Sequence, residues 1–234
     1  MKTHFNNLIS SSLLLYLDNR ILTNAQSFTN YSSLFYSGRN RFGSYYTYSL
    51  PYSQVVYDSS VPSCNVLTGV YLNNSLLTKG QSGYVDFNYD RGEAYFNQAI
   101  TGTNLSGNYA IKDFSIRLTS ESEVSVLLEN KFSLRPKTSQ TVTGLDGQYT
   151  YPAIFIKNKS DMLDPLQFGA GAECNKNNFS IYIFADSLYK LDNIVGTITD
   201  LTRTHFGLFS DNEFPFSSLG GLRTGTYDYV SESN

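Results

Sequence analysis

The sequence predicts an α+β fold: an antiparallel or mixed β-sheet with β-hairpins, packed by an N-terminal and a C-terminal helix and carrying extended arms. Three observations predict it. Near both ends of the chain, apolar residues recur at steps of three and four, the spacing of one helix face. Between residues 66 and 118 the period falls to two, that of half-buried strands. Two later runs, 152–157 and 179–184, are apolar on both parities, as in central strands covered on both faces.

No Pro-, Gly- or charge-rich linker divides the 234 residues, so one domain is expected. A chain of this size buries roughly 70–75% of its unfolded surface and does not need staples.

The N-terminal helix occupies segment 1–28 and runs from about residue 4 to about 27. Phe5, Leu8, Ile9, Leu13, Tyr16, Leu17 and Ile21 share one face, while His4, Asn6, Asn7 and Asp18 sit elsewhere. The lysine, apolar middle and small residues of "MKTHFNNLISSSLLLYL" would also suit a secretion signal. The helical spacing favours a structural helix.

Segment 29–65 has no steady period and reads as an extended arm. Its "SGRNRFGSYYTYSLPY" places turns at Gly38 and Gly43. A loop that long in a compact domain is functional or packs on a neighbour. The β-hairpin region, 66–118, offers strands at 66–72, 83–89, 93–98 and 107–118, with tight turns at Asn73-Asn74 and Asp90-Arg91-Gly92. In the last strand Tyr109 and Ile111 take one parity and Phe114, Ile116 and Leu118 the other. That switch at Lys112-Asp113 predicts a bulge or a bend.

Segment 119–132 is a short helix, with Ser120 and Glu123 at capping-box spacing. Residues 133–150 read as a polar loop or β-excursion. Segment 150–208 is a strand–strand–helix unit whose strands are joined by a Gly-rich connection. Asp186 or Ser187 caps its helix, Leu188, Leu191, Ile194, Val195, Ile198, Leu201 and Phe206 form the apolar face, and Gly207 is a natural stop. That face is expected to lie on the two strands. Segment 209–234 reads as a Tyr-rich tail.

The most patterned stretch, "YVDFNYDRGEAYFN" (84–97), sets Asp86, Asn88 and Asp90 at alternate positions. An EF-hand calcium loop begins this way, but needs Gly at its sixth place and an acid at its twelfth. Arg91 and Asn97 stand there. The spacing instead puts the three polar residues on the solvent face of a strand, with Asp-Arg-Gly as a hairpin turn.

"QFGAGAE" (167–173) lacks both the Lys-Ser/Thr ending of a phosphate loop and dinucleotide-binding spacing. His4 and His205, the only histidines, have no second ligand at zinc spacing, and no nucleophile elbow occurs. The expectation is a non-enzyme without metal or cofactor. A net charge of −3 supplies no basic footprint for specific nucleic-acid binding, and no apolar run is long enough to span a membrane. Cys64 and Cys174 are too few for a secreted disulfide framework; two buried thiols or a single bridge both fit.

Only 16% of residues are charged, against 15% aromatic, with 19 Tyr, 16 Phe and no Trp. Interfaces are depleted in Lys and Glu and enriched in Tyr in this way, although strands also favour Tyr and Phe.

The order of elements has a counterpart. "GVYLNNSLLTKGQSGYVDFNYDRGEAYFNQAI" followed by "LSGNYAIKDFSIRL" resembles a hairpin module common in virion proteins of tailed bacteriophages. Leu72-Asn73-Asn74 stands for the module's "VYVNG" strand end, Tyr89-Asp90-Arg91-Gly92 with Phe96 for its "DY…GRV.F" hairpin. Tyr109-Ala110-Ile111-Lys112-Asp113-Phe114 matches its "V.A.Y..KDF.I" strand. The C-terminal "YPAIFI…DPLQFGAGAE…FSIYIFADSLYKLDNIVGTITDLT" is similar to neck and tail-terminator proteins of long-tailed phages. Together the two segments cover somewhat over half the chain.

The resemblance implies a ring-forming structural protein of the phage neck, connecting head and tail and assembled in the host cytoplasm. Its partners would be copies of itself, six or a multiple, and other neck and tail proteins, with the genome passing through the ring. Candidate assembly surfaces are Tyr45, Tyr46 and Tyr48 in the arm, Lys190 on the outer face of the last helix, and Tyr227 and Tyr229 in the tail. The alternative is a receptor- or carbohydrate-binding tail or baseplate protein, its tyrosines stacking on sugars.

Overall fold

The computed structural model describes residues 2–37, 41–100, 104–128, 151–163, 175–201, 204–210 and 213–233. The polar stretch 133–150, the Gly-rich connection 167–173, the expected turn at Gly38 and Cys174 lie outside them. The fold is α+β, with antiparallel and mixed sheets and helices towards both ends.

Helix α1 (Lys2–Asn24) ends where Gln26 adopts a left-handed φ of 48°. Its second half is buried around most of its circumference. Leu15, Tyr16, Leu17, Asp18 and Asn19 are all buried in succession, then Ile21 and Leu22. Such a helix is wrapped by the rest of the molecule, not laid on its surface. The expected single apolar face, with Asp18 outside it, is therefore corrected.

Strand β1 (Phe28–Leu34) pairs antiparallel with β8 (Leu105–Lys112), which also pairs with β4 (Val70–Leu72). Strand β5 (Ser75–Leu77) completes the sheet order β1-β8-β4-β5. The β4–β5 hairpin turns on Asn73 and Asn74, both at positive φ, as a two-residue I′ turn requires. A second sheet orders β2 (Tyr36–Ser37), β3 (Tyr46–Ser49), β7 (Glu93–Phe96) and β6 (Tyr84–Asn88) as β2-β3-β7-β6. Its β6–β7 hairpin turns at Tyr89–Gly92, as expected. Gly92 has φ +69°, and a Cβ there would lie 2.2 Å from the Tyr52 carbonyl oxygen, so no other residue fits.

The stretch expected as an arm does not hang loose: β1, β2 and β3 lie in sheets, and Val55, Val56, Tyr57 and Asp58 are buried. Cys64 is a half-buried thiol without a bridge; burial, reinforced by the Asp58 carboxylate, pushes it up to about 12.

The parity switch after Lys112 is a change of sheet. The chain bends at Asp113 and the buried Phe114, then β9 (Ser115–Leu118) runs parallel to β10 (Ala153–Leu163). Strand β11 (Asn175–Phe184) pairs antiparallel on the other side, giving β11-β10-β9. Strand β10 is central and buried on both faces: Ala153 and Phe155 meet Val126, while Ile154 and Ile156 enter the main core. Strand β11 is different. It is an edge strand among the described residues, and Phe179 to Phe184 are only half-buried.

Helix α2 (Glu123–Leu128) is capped by Ser122, whose Oγ accepts from Ser125 N at 3.1 Å, and not by Ser120. Helix α3 (Leu188–Asp200) is capped by Ser187, but ends six residues before the expected Phe206. Its main neighbour is α1, not the β10–β11 pair, and Ile194 is its buried residue. The following segment runs back along α1: Phe209 N donates to Ser12 Oγ at 3.0 Å, and Phe206 stacks on Tyr16.

Between α1 and β8 lies a buried ion pair. Lys112 Nζ reaches Asp18 Oδ1 and Oδ2 at 2.6 and 2.7 Å, with both side chains almost wholly buried. The Lys112 ammonium also sits 4.2 Å from the centre of the Tyr57 ring.

Three outcomes follow from this packing. Asp18→Ala strands the Lys112 charge and should cost about 3–5 kcal/mol in urea unfolding; Asp18→Leu with Lys112→Met should recover most of it. Ile194→Ala should cost about 2–5 kcal/mol. Burial, then the Asp18 carboxylate, holds the Tyr57 hydroxyl far above its usual range, and burial pushes Tyr95 and Tyr229 up to about 12. Their phenolates form in the unfolded chain first, so stability is full below pH 10.0 and should fall from there to about 12. Tyrosine ionisation followed by absorbance should then coincide with unfolding.

Candidate functional site

Six residues were expected on assembly surfaces, and the structure separates them. Tyr48, Tyr227 and Tyr229 are buried inside the chain, which corrects their placement on a surface. The Tyr48 hydroxyl holds the backbone of Ile100: it donates to the Ile100 carbonyl at 3.1 Å and accepts from Ile100 N at 2.7 Å. Tyr45 and Tyr46 are half-buried, and Arg41 lies 4.1 Å over the Tyr46 ring while donating to its hydroxyl at 2.6 Å. Lys190 is exposed and pairs with Asp186 at 2.8 Å, one helical turn away.

Tyr227 and Tyr229 are buried because the C-terminal segment, 213–233, folds back as a strap. Its far end hangs on Asp58. That carboxylate accepts from Asn19 Nδ2 at 2.8 Å, Ser60 N at 2.9 Å, Ser60 Oγ at 2.8 Å and Tyr229 N at 3.1 Å. The Tyr227 carbonyl accepts from Ser59 N and Ser59 Oγ, each at 2.8 Å. Helix α4 (Tyr229–Glu232), capped by Asp228, closes this end. Burial raises the Tyr227 hydroxyl, and the Asp58 carboxylate adds to it.

The near end of the strap is gripped by two of the three alternating residues, Asp86 and Asn88 of β6, while Asp90 in the turn bonds elsewhere. Asp86 is buried, not on a solvent face; it pairs with Lys79 at 2.6 Å and accepts from Ser217 Oγ at 2.7 Å. Lys79 also donates to the Leu222 carbonyl. Asn88 Nδ2 donates to the Leu219 carbonyl at 2.9 Å, and its Oδ1 accepts from Arg91 N at 2.9 Å. Asp90 accepts from Arg117 Nη2 at 3.0 Å on both oxygens and from Gln54 Nε2. A register shift between Tyr84 and Asp86 turns Asp86 inward. Gly221 passes so close that a Cβ would lie 1.9 Å from Asp86 Oδ1.

Two clefts of about 420 and 410 Å³ flank the strap. The first lies among Tyr57, Tyr89, Tyr95, Lys112 and Ser217–Gly220; the second among Lys79, Tyr84, Asp86 and Leu222–Thr226. Their volumes suit a small ligand. Their chemistry does not: Gln54, Asp86, Asn88 and Asp90 spend hydrogen bonds on one another, on Arg117 and on the strap. Among the described residues, no three His, Cys, Asp or Glu side chains gather as a metal site, and no helix is long and apolar enough to cross a membrane.

What the molecule does present is apolar surface. On α3, Leu188 is 77% exposed, Tyr189 81% and Val195 43%, although Leu188 and Val195 were expected on its buried face. Leu34 and Tyr36 at the β1–β2 junction, and Phe42 beside them in sequence, are also exposed. No family model, characterised protein or solved structure matches the chain.

Gly221→Ala should push the strap off Asp86 and lower stability by more than about 2 kcal/mol, because both the close contact and the buried carboxylate lose their geometry. Gly225, which has open space around it, provides the comparison. Limited proteolysis should then cut 213–233 faster in the Gly221 variant than in the wild type or Gly225→Asn.

Proposed function

We propose that the chain is a structural subunit of a tailed-phage virion: a ring-forming component of the neck that joins head to tail, in the manner of a connector or tail terminator. It works by binding copies of itself, six or a multiple, and adjacent neck and tail proteins. The observation that carries the reading is the outer face of α3. Large aromatic and aliphatic side chains there are left in water by a chain whose core is already filled by its own strap.

Exposed apolar groups scattered singly need no explanation, but Leu188, Tyr189 and Val195 lie along one short helix. Tyr189 has the make-up of an interface anchor: a large rigid area with one polar end. Lys190 and Asp186, paired at the edge of this face, suit a polar rim. A contact that repeats head to tail closes into a ring, whereas a self-complementary contact stops at two copies. The resemblance of the hairpin region and of the strand–strand–helix unit to neck proteins favours the ring.

Light scattering on the purified chain and electron microscopy of negatively stained particles test this reading. Rings of six subunits or a multiple are the expected result. Tyr189→Asp should weaken association at least about tenfold with the melting temperature unchanged, since that side chain adds nothing to the monomer's core. A chain that stays monomeric at every concentration overturns the reading.

A further inference from the structure

We infer that β11 is completed by the β11 of a second copy, the two strands lying antiparallel across a two-fold axis near Ser180. The inference rests on the reading that the chain self-associates, and it adds a second surface to the α3 face.

Four observations lead to it. Phe179 to Phe184 are apolar on both parities, the pattern of a strand with a neighbour on each side and cover on each face. Among the described residues its only strand neighbour is β10, and Phe179 to Phe184 are half-buried where Ala153 to Ile156 of β10 are buried. Lys176, near the start of β11, is its one charged residue; Asn177 to Ile183 contain no charge, no Pro and no Gly, so this part of the edge lacks the devices that keep strands apart. Finally, the side-chain oxygens of Asn158 and Asn177, on the two strands of this pair, are buried without a hydrogen-bond partner among the described residues.

A row of strand amides and carbonyls is satisfied by another strand, and by little else. The occupant is a second copy because this run matches itself. In an antiparallel pair centred on Ser180, Asn178 lies opposite Tyr182, Ser180 opposite Ser180, and no like charges meet. Between Asn177 and Ile183 a partner strand bearing Lys or Glu would find no opposite charge.

The test uses the full chain with substitutions at Ser180, which lies across from Lys157 of β10, so that Ser180→Glu places opposite charges together within one chain. Across the two-fold axis it places like charges together. Light scattering should give Ser180→Glu half the copies per particle of the wild type. An equimolar mixture with Ser180→Lys should restore the wild-type size. If Ser180→Lys fails to fold, hydrogen exchange of peptides covering 177–183 decides. In the wild type they should become protected as concentration rises, and in Ser180→Glu they should not.

A wild type that associates while 177–183 still exchange fast overturns the β11 pair and leaves the assembly reading standing. Protection that is already full in dilute monomer also overturns it, because the chain then covers its own edge. A wild type that never associates removes both.

Discussion

The arrangement depends on the buried pair of Asp18 and Lys112. Helix α1 is buried around most of its circumference from Leu15 to Leu22, so burial alone does not set its rotation. The pair does. One carboxylate must meet one ammonium in a water-free interior, because either charge left alone there would cost several kcal/mol. The bidentate contact at 2.6 and 2.7 Å therefore fixes α1 against the end of β8. Lys112 is also the last residue before the chain leaves the first sheet for the third. One contact thus locates a helix and two sheets.

The neighbouring residues carry the constraint outward. Asn19, next to Asp18, donates to Asp58; Tyr57, next to Asp58, lies under the Lys112 ammonium. Asp58 in turn holds the amide of Tyr229. The strap is tied to the same polar centre as the helix, and its other end is gripped by Asp86 and Asn88. Polar side chains that would otherwise suit a ligand are used to hold the chain together. The two surfaces on which the proposed assembly rests, the α3 face and the edge of β11, lie outside this centre. That division fits a subunit whose work is to be rigid and to bind copies of itself.

Much of this could be read in the sequence where local rules decide. Asn73-Asn74 and Asp90-Arg91-Gly92 are turns because few other residues take those backbone angles. The switch of parity after Lys112 marks the change of sheet, and the two-sided apolar run at 153–156 marks the central strand. Long-range pairing was not legible. Asp18 looked like the polar side of an amphipathic helix, since periodicity carries no information about a lysine 94 residues away. A signal was present: Lys112 shares the parity of the core residue Phe114. Tyr227 and Tyr229 looked like tail because Tyr serves both core and surface. The outward turn of Leu188 and Val195 was hidden for a related reason, for an apolar face does not say whether its own chain or another will cover it.

Native-state hydrogen exchange measures the central claim most directly: that α1, the end of β8 and the strap form one unit around Asp18, Lys112 and Asp58. The amide of Lys112, which donates to the Gln54 carbonyl at 2.8 Å, reports on β8, and that of Tyr229 on the strap. The account predicts that both open with the same free energy, within about 1 kcal/mol, and that both weaken together in Asp58→Asn. A Tyr229 amide that exchanges through a much easier opening, unaffected by Asp58, would show that the strap is a separate and loosely held element.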